Sequence, residues 1–262
     1  MLMLIKRARI LLAIFALVLP SALAQSHSIK SDRNATAKFV PTVGERLTYD
    51  VSWADFITAG ELTLETKDRR SVDGVDAFHV SAQAQSVGLV SVMAMKVNDV
   101  YESFLNASTL MPFRAAKNTR HGKKHDQGSM QIDQQKRTAQ LDDGRTVEIP
   151  PDTYDIAGLL FAIRGMDLSL GRARQFNIIE DGKLYRISVT PEAKEKITTR
   201  AGTFETVRMA TKNLSGGRDS NLYNLKMFIT TDARRLPVTL TAEPSWGSVR
   251  VQLTSIIGAA RK

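Results

Sequence analysis

Four histidines, His27, His79, His121 and His125, are the first candidates for acid–base or metal chemistry in this sequence. His121 and His125 stand four apart, a spacing that on a helix would put both rings on one face and let them share a metal ion. Gly122-Lys123-Lys124 lies between them and reads instead as a hairpin tip. Two lysines there oppose a divalent cation, and no carboxylate or thiolate completes a ligand set, so no metal is expected. His27 falls in a polar N-terminal stretch and His79 in a strand. The chain has no cysteine, which removes thiolate metal sites, cysteine nucleophiles and disulfides together.

The local signatures of nucleophilic or zinc-dependent hydrolysis, Gly-x-Ser-x-Gly, Ser-x-x-Lys and His-Glu-x-x-His, are missing. A catalytic group assembled from distant residues leaves no such signature, so a hydrolase with a dispersed site stands as one alternative, and an enzyme is the lesser expectation. Asp152 with Asp155 and Glu180 with Asp181 are the nearest paired carboxylates. The first pair reads as helix capping and the second as a turn, because caps and turns select acidic residues. Ser215-Gly216-Gly217-Arg218 has no strand before it and no helix after it to make a phosphate cradle. No cofactor is expected.

Charge and aromatic rings supply the remaining candidates. From Arg114 to Arg137 the chain carries Arg114, Lys117, Arg120, Lys123, Lys124, Lys136 and Arg137 against Asp126 and Asp133. This reads as a hairpin whose outward positions are basic and solvated. The formal net charge is +9, and a basic surface attracts anions of any chemistry. Aromatic residues make up 6% of the chain, too few for a stacked single-strand surface or a carbohydrate platform, and nucleic acid is not an expected partner. Trp53 and Trp246 belong at sheet ends, where amphipathic rings pack. With Arg114, Lys117 and Arg120 they are the candidate contacts for a ligand or anion.

The elements that must position these residues are mostly strands. Arg46–Val51, Glu61–Glu65 and Lys183–Val189 alternate polar with apolar, as a strand with one buried face requires. Asp73-Gly74, Asp143-Gly144 and Asp181-Gly182 each lie between β-prone segments, and Asp-Gly suits the positive φ angles of a type I′ hairpin turn. Further strands are expected at 77–83, 96–104, 112–119, 128–133, 204–211, 222–230, 236–242 and 248–255. One helix is expected over Tyr154–Arg164, with Asp152 or Thr153 as its cap, Asp155 in its first turn and Gly165 ending it. Its apolar residues surround most of its circumference, so it should be buried against a sheet. A shorter helix is expected near 87–95. The fold class is mainly β, a curved antiparallel sheet or partly open barrel with one principal buried helix, its strand-rich halves forming two lobes.

The N-terminus reads as an export signal. Lys6, Arg7 and Arg9 precede an apolar run from Ile10 to Leu19, then Pro20 and the small-residue pattern Ala22-Leu23-Ala24, which predicts cleavage after Ala24. The run is half the ~20 residues a membrane-spanning helix needs, and no cysteine is present to carry a lipid. Residues 1–24 are thus expected to be a signal peptide, 25–43 a flexible tether and 44–262 a single β-rich domain without a transmembrane span. Removing the three basic residues of the signal leaves a charge of +6.

Gly44-Glu45-Arg46-Leu47-Thr48-Tyr49-Asp50-Val51-Ser52-Trp53, then Ala59-Gly60-Glu61-Leu62, Asp99-Val100-Tyr101-Glu102-Ser103, Pro112 with Arg114, and finally Thr231-Asp232-Ala233-Arg234-Arg235-Leu236-Pro237-Val238 before Gly247-Ser248-Val249, resemble the DUF3108 family of exported bacterial proteins. The resemblance runs from about Gly44 to Ser255. It implies a curved, predominantly antiparallel β structure in the envelope of Gram-negative bacteria, and a periplasmic location. It brings no established activity or site residue. Taken together, these features lead to the expectation of a non-enzymatic periplasmic protein binding an anionic lipid, a lipid-like amphiphile or an acidic envelope polymer in an apolar groove, with a role in envelope maintenance. The alternatives are a structural or adaptor module that binds another envelope protein, and the hydrolase, which requires acidic, serine or histidine groups with perturbed pKa values to converge in one pocket.

Overall fold

The computed structural model describes residues 39–53, 57–88, 96–215, 225–242 and 248–258. The alternating segments all form strands, and most run further than the alternation alone marks. In chain order the first wing is β1 (Arg46–Trp53), β2 (Ile57–Val72), β3 (Val75–Ser86), β4 (Val97–Asn106), β5 (Pro112–His121), β6 (Lys124–Asp133), β7 (Thr138–Leu141) and β8 (Thr146–Glu148). The second wing is β9 (Thr153–Tyr154), β10 (Arg174–Glu180), β11 (Lys183–Thr199), β12 (Gly202–Asn213), β13 (Leu225–Thr230), β14 (Pro237–Ala242) and β15 (Val249–Ile257). The helix α1 (Ile156–Arg164) lies between β9 and β10 in sequence.

The fifteen strands among the described residues all belong to one sheet, in the order β8-β7-β6-β5-β4-β3-β2-β1-β15-β14-β13-β12-β11-β10-β9. Each wing is a meander, and the two join where β1 pairs with β15, Val51 opposite Val251. The pairings are antiparallel except for β9 beside β10. Register shifts interrupt β1, β2, β4–β5, β11 and β13; bulges of this kind bend a strand and increase its twist. Pro191 sits at one of them, where a missing N–H is tolerated. The sheet therefore curls without closing into a barrel, and its two ends, β8 and β9, are short edges.

The curl wraps α1. Phe161 and Ala157 pack on Phe78, Val80, Tyr101 and Leu105 of the first wing, while Ala162 and Ile163 pack on Phe176, Ile178, Val189 and Met209 of the second. A Cβ added at Gly158 would come 3.2 Å from Leu105 Cδ2 and 2.7 Å from Asp155 Oδ1, so glycine lets the helix approach β4 closely. The helix starts two residues later than expected. Asp155, not Asp152 or Thr153, is the N-cap, its carboxylate accepting from the amides of Ala157 and Gly158. Thr153 and Tyr154 stay extended because β10 offers them ladder partners in Asn177 and Ile178, and the Tyr154 ring meets Phe176 edge-on at 5.7 Å. Gly165 ends the helix as expected, donating to Phe161 and Ala162 carbonyls.

Two of the three Asp-Gly turns have the expected positive φ at both residues, Asp73 (52°) with Gly74 (80°) and Asp181 (51°) with Gly182 (75°). At Asp143-Gly144 glycine alone is positive, at 86°. Gly144 N–H donates to Leu141 O and Leu141 N–H to Arg145 O, which is a type I turn followed by a glycine bulge, a longer hairpin loop than type I′. Folded structure begins upstream of Gly44: Phe39, placed by the sequence in the tether, is buried beneath the Arg164 guanidinium, 4.3 Å from the ring centre. The signal segment, His27, Trp246 and nearly all of the expected 87–95 helix lie outside the described residues.

Candidate functional site

Strand alternation decides which basic residues of β5 face inward. Pairing with β6 is regular from Arg114 to His121, so Lys117, three residues from both Arg114 and Arg120, lies on the opposite face. Arg114 points to the β2–β3 turn and holds Asp73 at 2.6 Å. Arg120 is exposed. Lys117 is mostly buried, with its ammonium 2.7 Å from Asp126 of β6 and 2.6 Å from Asp181. Asp181 belongs to the β10–β11 turn, so this ion pair joins one wing to the other. Trp53 is half-buried at the end of β1, opposite Val249. Among the described residues the structure does not gather the candidates Trp53, Arg114, Lys117 and Arg120 into one place; of these four, Lys117 lines a cavity.

That cavity, of about 340 Å³, lies where the β10–β11 tip meets the β5–β8 end of the first wing. Met130, Leu141, Ile156 and Ile179 are its apolar lining, and Ile179 continues into a cluster with Ile132, Ala139 and Ile149. Its polar lining is Asp126, Asp142, Asp143, Asp155, Glu180 and Asp181, with Lys117 and Arg145 as the cations. Much of this charge is already matched. Asp143 holds Arg145 at 2.7 Å, Asp142 accepts from the Ser129 amide at 2.9 Å, and Asp155 accepts from the Ser103 hydroxyl at 2.7 Å.

Glu180 is the exception, its carboxyl having no hydrogen bond or ion pair among the described residues. Burial pushes its pKa up to about 8, with Asp181 adding to the rise and Lys117 and Lys183 opposing it. The proton therefore stays on at neutral pH, and the group enters the cavity as a hydrogen-bond donor. Burial also lifts Asp155 to about 6 against its Ser103 and backbone hydrogen bonds, whereas Lys117 holds Asp126 below the usual carboxylate range. Neighbouring carboxyl groups are thus driven to different protonation states. The reading of Glu180 and Asp181 as a plain turn missed this. The available signal was parity: Glu180 continues the inward series Phe176, Ile178.

The remaining sequence candidates lie elsewhere. His79 is stacked on Phe104 at 4.5 Å, between Asp68 at 3.4 Å and Glu102 at 3.2 Å. His121 meets the buried Asp99 at 2.9 Å and His125 meets Asn118 at 2.9 Å, the two rings flanking the expected hairpin tip. Among the described residues no group of three His, Cys, Asp or Glu side chains is placed to hold a metal ion. Ser215 bonds the Arg186 backbone, and the glycines after it lie outside the described residues. No described helix is long and apolar enough to cross a membrane.

Two of the segments that carry the family resemblance, the opening one and the late one, meet at Arg164. Its guanidinium is fully buried, lies 2.6 Å from Glu45 Oε1, and donates to Glu45 Oε2 and to the Arg234 and Arg235 carbonyls at 3.0–3.1 Å. Tyr49 donates to the Pro237 carbonyl at 2.8 Å.

Fold and site together define a class: one curled, unclosed antiparallel sheet wrapped on a pinned helix, with a mixed-charge cavity where its wings meet. Residues 48–254 match the family model described as "Protein of unknown function (DUF3108)", and the chain belongs to that family. Among solved structures it is similar to the beta-barrel-like protein of the domain of unknown function DUF1849 from Brucella abortus. That likeness has a TM-score of 0.57 at 12% identity and covers 83% of this chain and 98% of that one. A DUF1089 family protein from Pseudomonas aeruginosa is similar with a TM-score of 0.41 at 11% identity, over 80% of this chain and 95% of that one. The first likeness concerns the fold alone. None of the curated proteins matches the chain.

Proposed function

We propose that this is a non-enzymatic, exported periplasmic protein that binds one end of an amphiphilic envelope component in the seam cavity and serves envelope maintenance. The carrying observation is the mixed lining, in which Met130, Leu141, Ile156 and Ile179 share the cavity with Lys117, Arg145 and the carboxyl groups. A volume of about 340 Å³ is at the small end of ligand sites, enough for a head group with a short apolar stem. Carboxyl groups outnumber cations there, which favours a head group carrying a positive or hydrogen-bonding group over a purely anionic one. The export signal read from residues 1–24 and membership of the family support the location. Native mass spectrometry of the protein purified from periplasm tests this: a bound amphiphile, or uptake of one by the delipidated protein, is expected. Absence of both overturns it, and a single dominant protein partner on crosslinking in cells would favour the adaptor reading.

A second reading is favoured by the acidic cluster lining the cavity, where burial raises the Glu180 carboxyl to about 8 while Lys117 holds Asp126 below the usual carboxylate range. Carboxyl groups pushed to different protonation states are how hydrolases divide acid from base work. In this reading Glu180 protonates a leaving-group oxygen. Turnover of envelope glycans by the wild type, lost in Glu180→Gln, supports it; no turnover by the wild type removes it.

A further inference from the structure

We infer that the seam is a latch, in which Lys117 of one wing holds the Asp181–Gly182 tip of the other over the cavity, and hydration of Glu180 releases it. Its role as a gate for ligand rests on the binding reading above, but the motion itself does not. Among the described residues no backbone hydrogen bond ties the tip to the opposite wing; the sheet ends at β8 and β9. Closure at the tip is made by side chains: the 2.6 Å Lys117–Asp181 pair, Ile179 packed on Ile132, Ala139 and Ile149, and Gly182 seated so close that a Cβ there would lie 2.8 Å from Leu141 Cδ1. Elements held only by side chains open at lower free energy than those in a continuous ladder.

The closed tip leaves Glu180 only partly exposed to water. Facing it are Asp181 in its own turn, Lys183 and Tyr185 on β11, Tyr101 on β4 and Lys117 on β5. The cavity lining adds Asp126 on β6, Asp142, Asp143 and Arg145 at the β7–β8 turn, and Asp155 at the head of α1. The set is net acidic, so an additional negative charge is unwelcome while the seam is shut. Opening the tip hydrates Glu180 and lets it ionise near its ordinary value of 4.5 instead of about 8. The open form therefore binds the proton less tightly, and by linkage rising pH shifts the population towards it. Because the bias is the ratio of proton affinities in the two forms, it grows tenfold per pH unit between these values. It stops growing above about pH 8.

The chain has no cysteine, so two can be introduced without competition. Spin labels at Gln140→Cys on β7 and Leu184→Cys on β11, both exposed, report the seam width by pulsed electron resonance in the full chain without any ligand. A short distance is expected at pH 6, with a longer population growing as pH rises to about 8 and level from there to pH 9.5. Glu180→Gln keeps the short distance throughout, and Lys117→Met shows the long one already at pH 6. No change in the wild-type distance from pH 6 to 9.5 overturns the latch, as does an equal change in Glu180→Gln. Should Lys117→Met not fold, the Glu180→Gln comparison decides alone. A working latch in a protein that takes up no amphiphile would sink the binding reading and leave the latch standing.

Discussion

Arg164→Met removes the cation that ties the last turn of the helix to Glu45, just before β1, and to the β13–β14 turn. Its guanidinium and Glu45 are each almost wholly shielded from water. Removing one partner of a buried pair strands the other charge, at a cost of ~3–5 kcal/mol. The lost Arg234 and Arg235 carbonyl bonds lie within that range, and the Met side chain retains much of the packing on Phe39 and Phe161. Domains of this size shift in melting temperature by roughly 2–4 °C per kcal/mol, so a fall of roughly 6–20 °C is expected by calorimetry. Glu45→Leu alone should cost a similar amount, and Glu45→Leu with Arg164→Met should cost clearly less than the two singles added, because neither charge is then left unpaired. Arg46→Met is the control: its pair with Glu65, 2.9 Å long, lies at the surface and is worth at most ~1 kcal/mol. A loss of under about 1 kcal/mol in Arg164→Met, or strict additivity in the cycle, would refute the assignment of this pair as the lock of the fold.

Glu180→Gln should stabilise the protein increasingly with pH. The folded state holds the Glu180 proton up to about pH 8 and the unfolded chain releases it near 4.5, so wild-type stability is full below 4.5, declines as pH rises to about 8 and is level above it. At ~1.4 kcal/mol per pH unit the ceiling is ~5 kcal/mol. Water in the cavity reduces this to about 2–3 kcal/mol, read from urea unfolding at pH 5, 7 and 9; parallel curves for the two proteins would rule it out. Asp155→Ala removes the helix cap and leaves the buried Ser103 hydroxyl without its acceptor, costing ~2 kcal/mol, while Asp155→Asn, which keeps an acceptor, should cost under half as much in the same thermal melt. Gly182→Ala places a side chain at φ 75° and against Leu141. It should cost ~1–2 kcal/mol and speed hydrogen exchange at the β10–β11 tip more than elsewhere.

The strands were legible wherever one face is wet. β1, β4 and β11 alternate because their outer side chains meet solvent, and the Asp-Gly pairs marked their turns. β10 escaped because Phe176, Ile178 and Ile179 are buried on both of its faces, which erases the period, and β7, β8 and β9 are too short to show one. The helix was visible as an apolar run, but its start was decided by the ladder partners β10 gives Thr153 and Tyr154, a tertiary fact. The cavity was hidden for the same reason. Lys117 sat in a basic run that reads as a solvated face, and Glu180 beside Asp-Gly reads as part of a turn. What makes them a site is the curl that brings β5 against the β10–β11 tip, and bulges such as those at Thr66/Asp68 and Pro191/Ala193 leave no pattern from which that curl can be computed.

The residues behind the family resemblance explain how the cavity keeps its shape without most of them lining it. The opening and late segments meet at the last turn of α1, through Glu45, Arg164 and the Arg234 and Arg235 carbonyls. The middle segment meets its first turn, through Ser103 and the Asp155 cap, and supplies Tyr101 to the cavity wall. The helix is therefore held at both ends by the first wing and the β13–β14 turn, while Asp155 and Ile156 at its head line the cavity. A fixed helix head beside a tip held by side chains alone confines movement to the β10–β11 side. Changes at Arg164 should thus lower stability with the cavity intact in the folded fraction, whereas changes at Lys117, Glu180 and Gly182 should alter the cavity's opening with a smaller effect on unfolding.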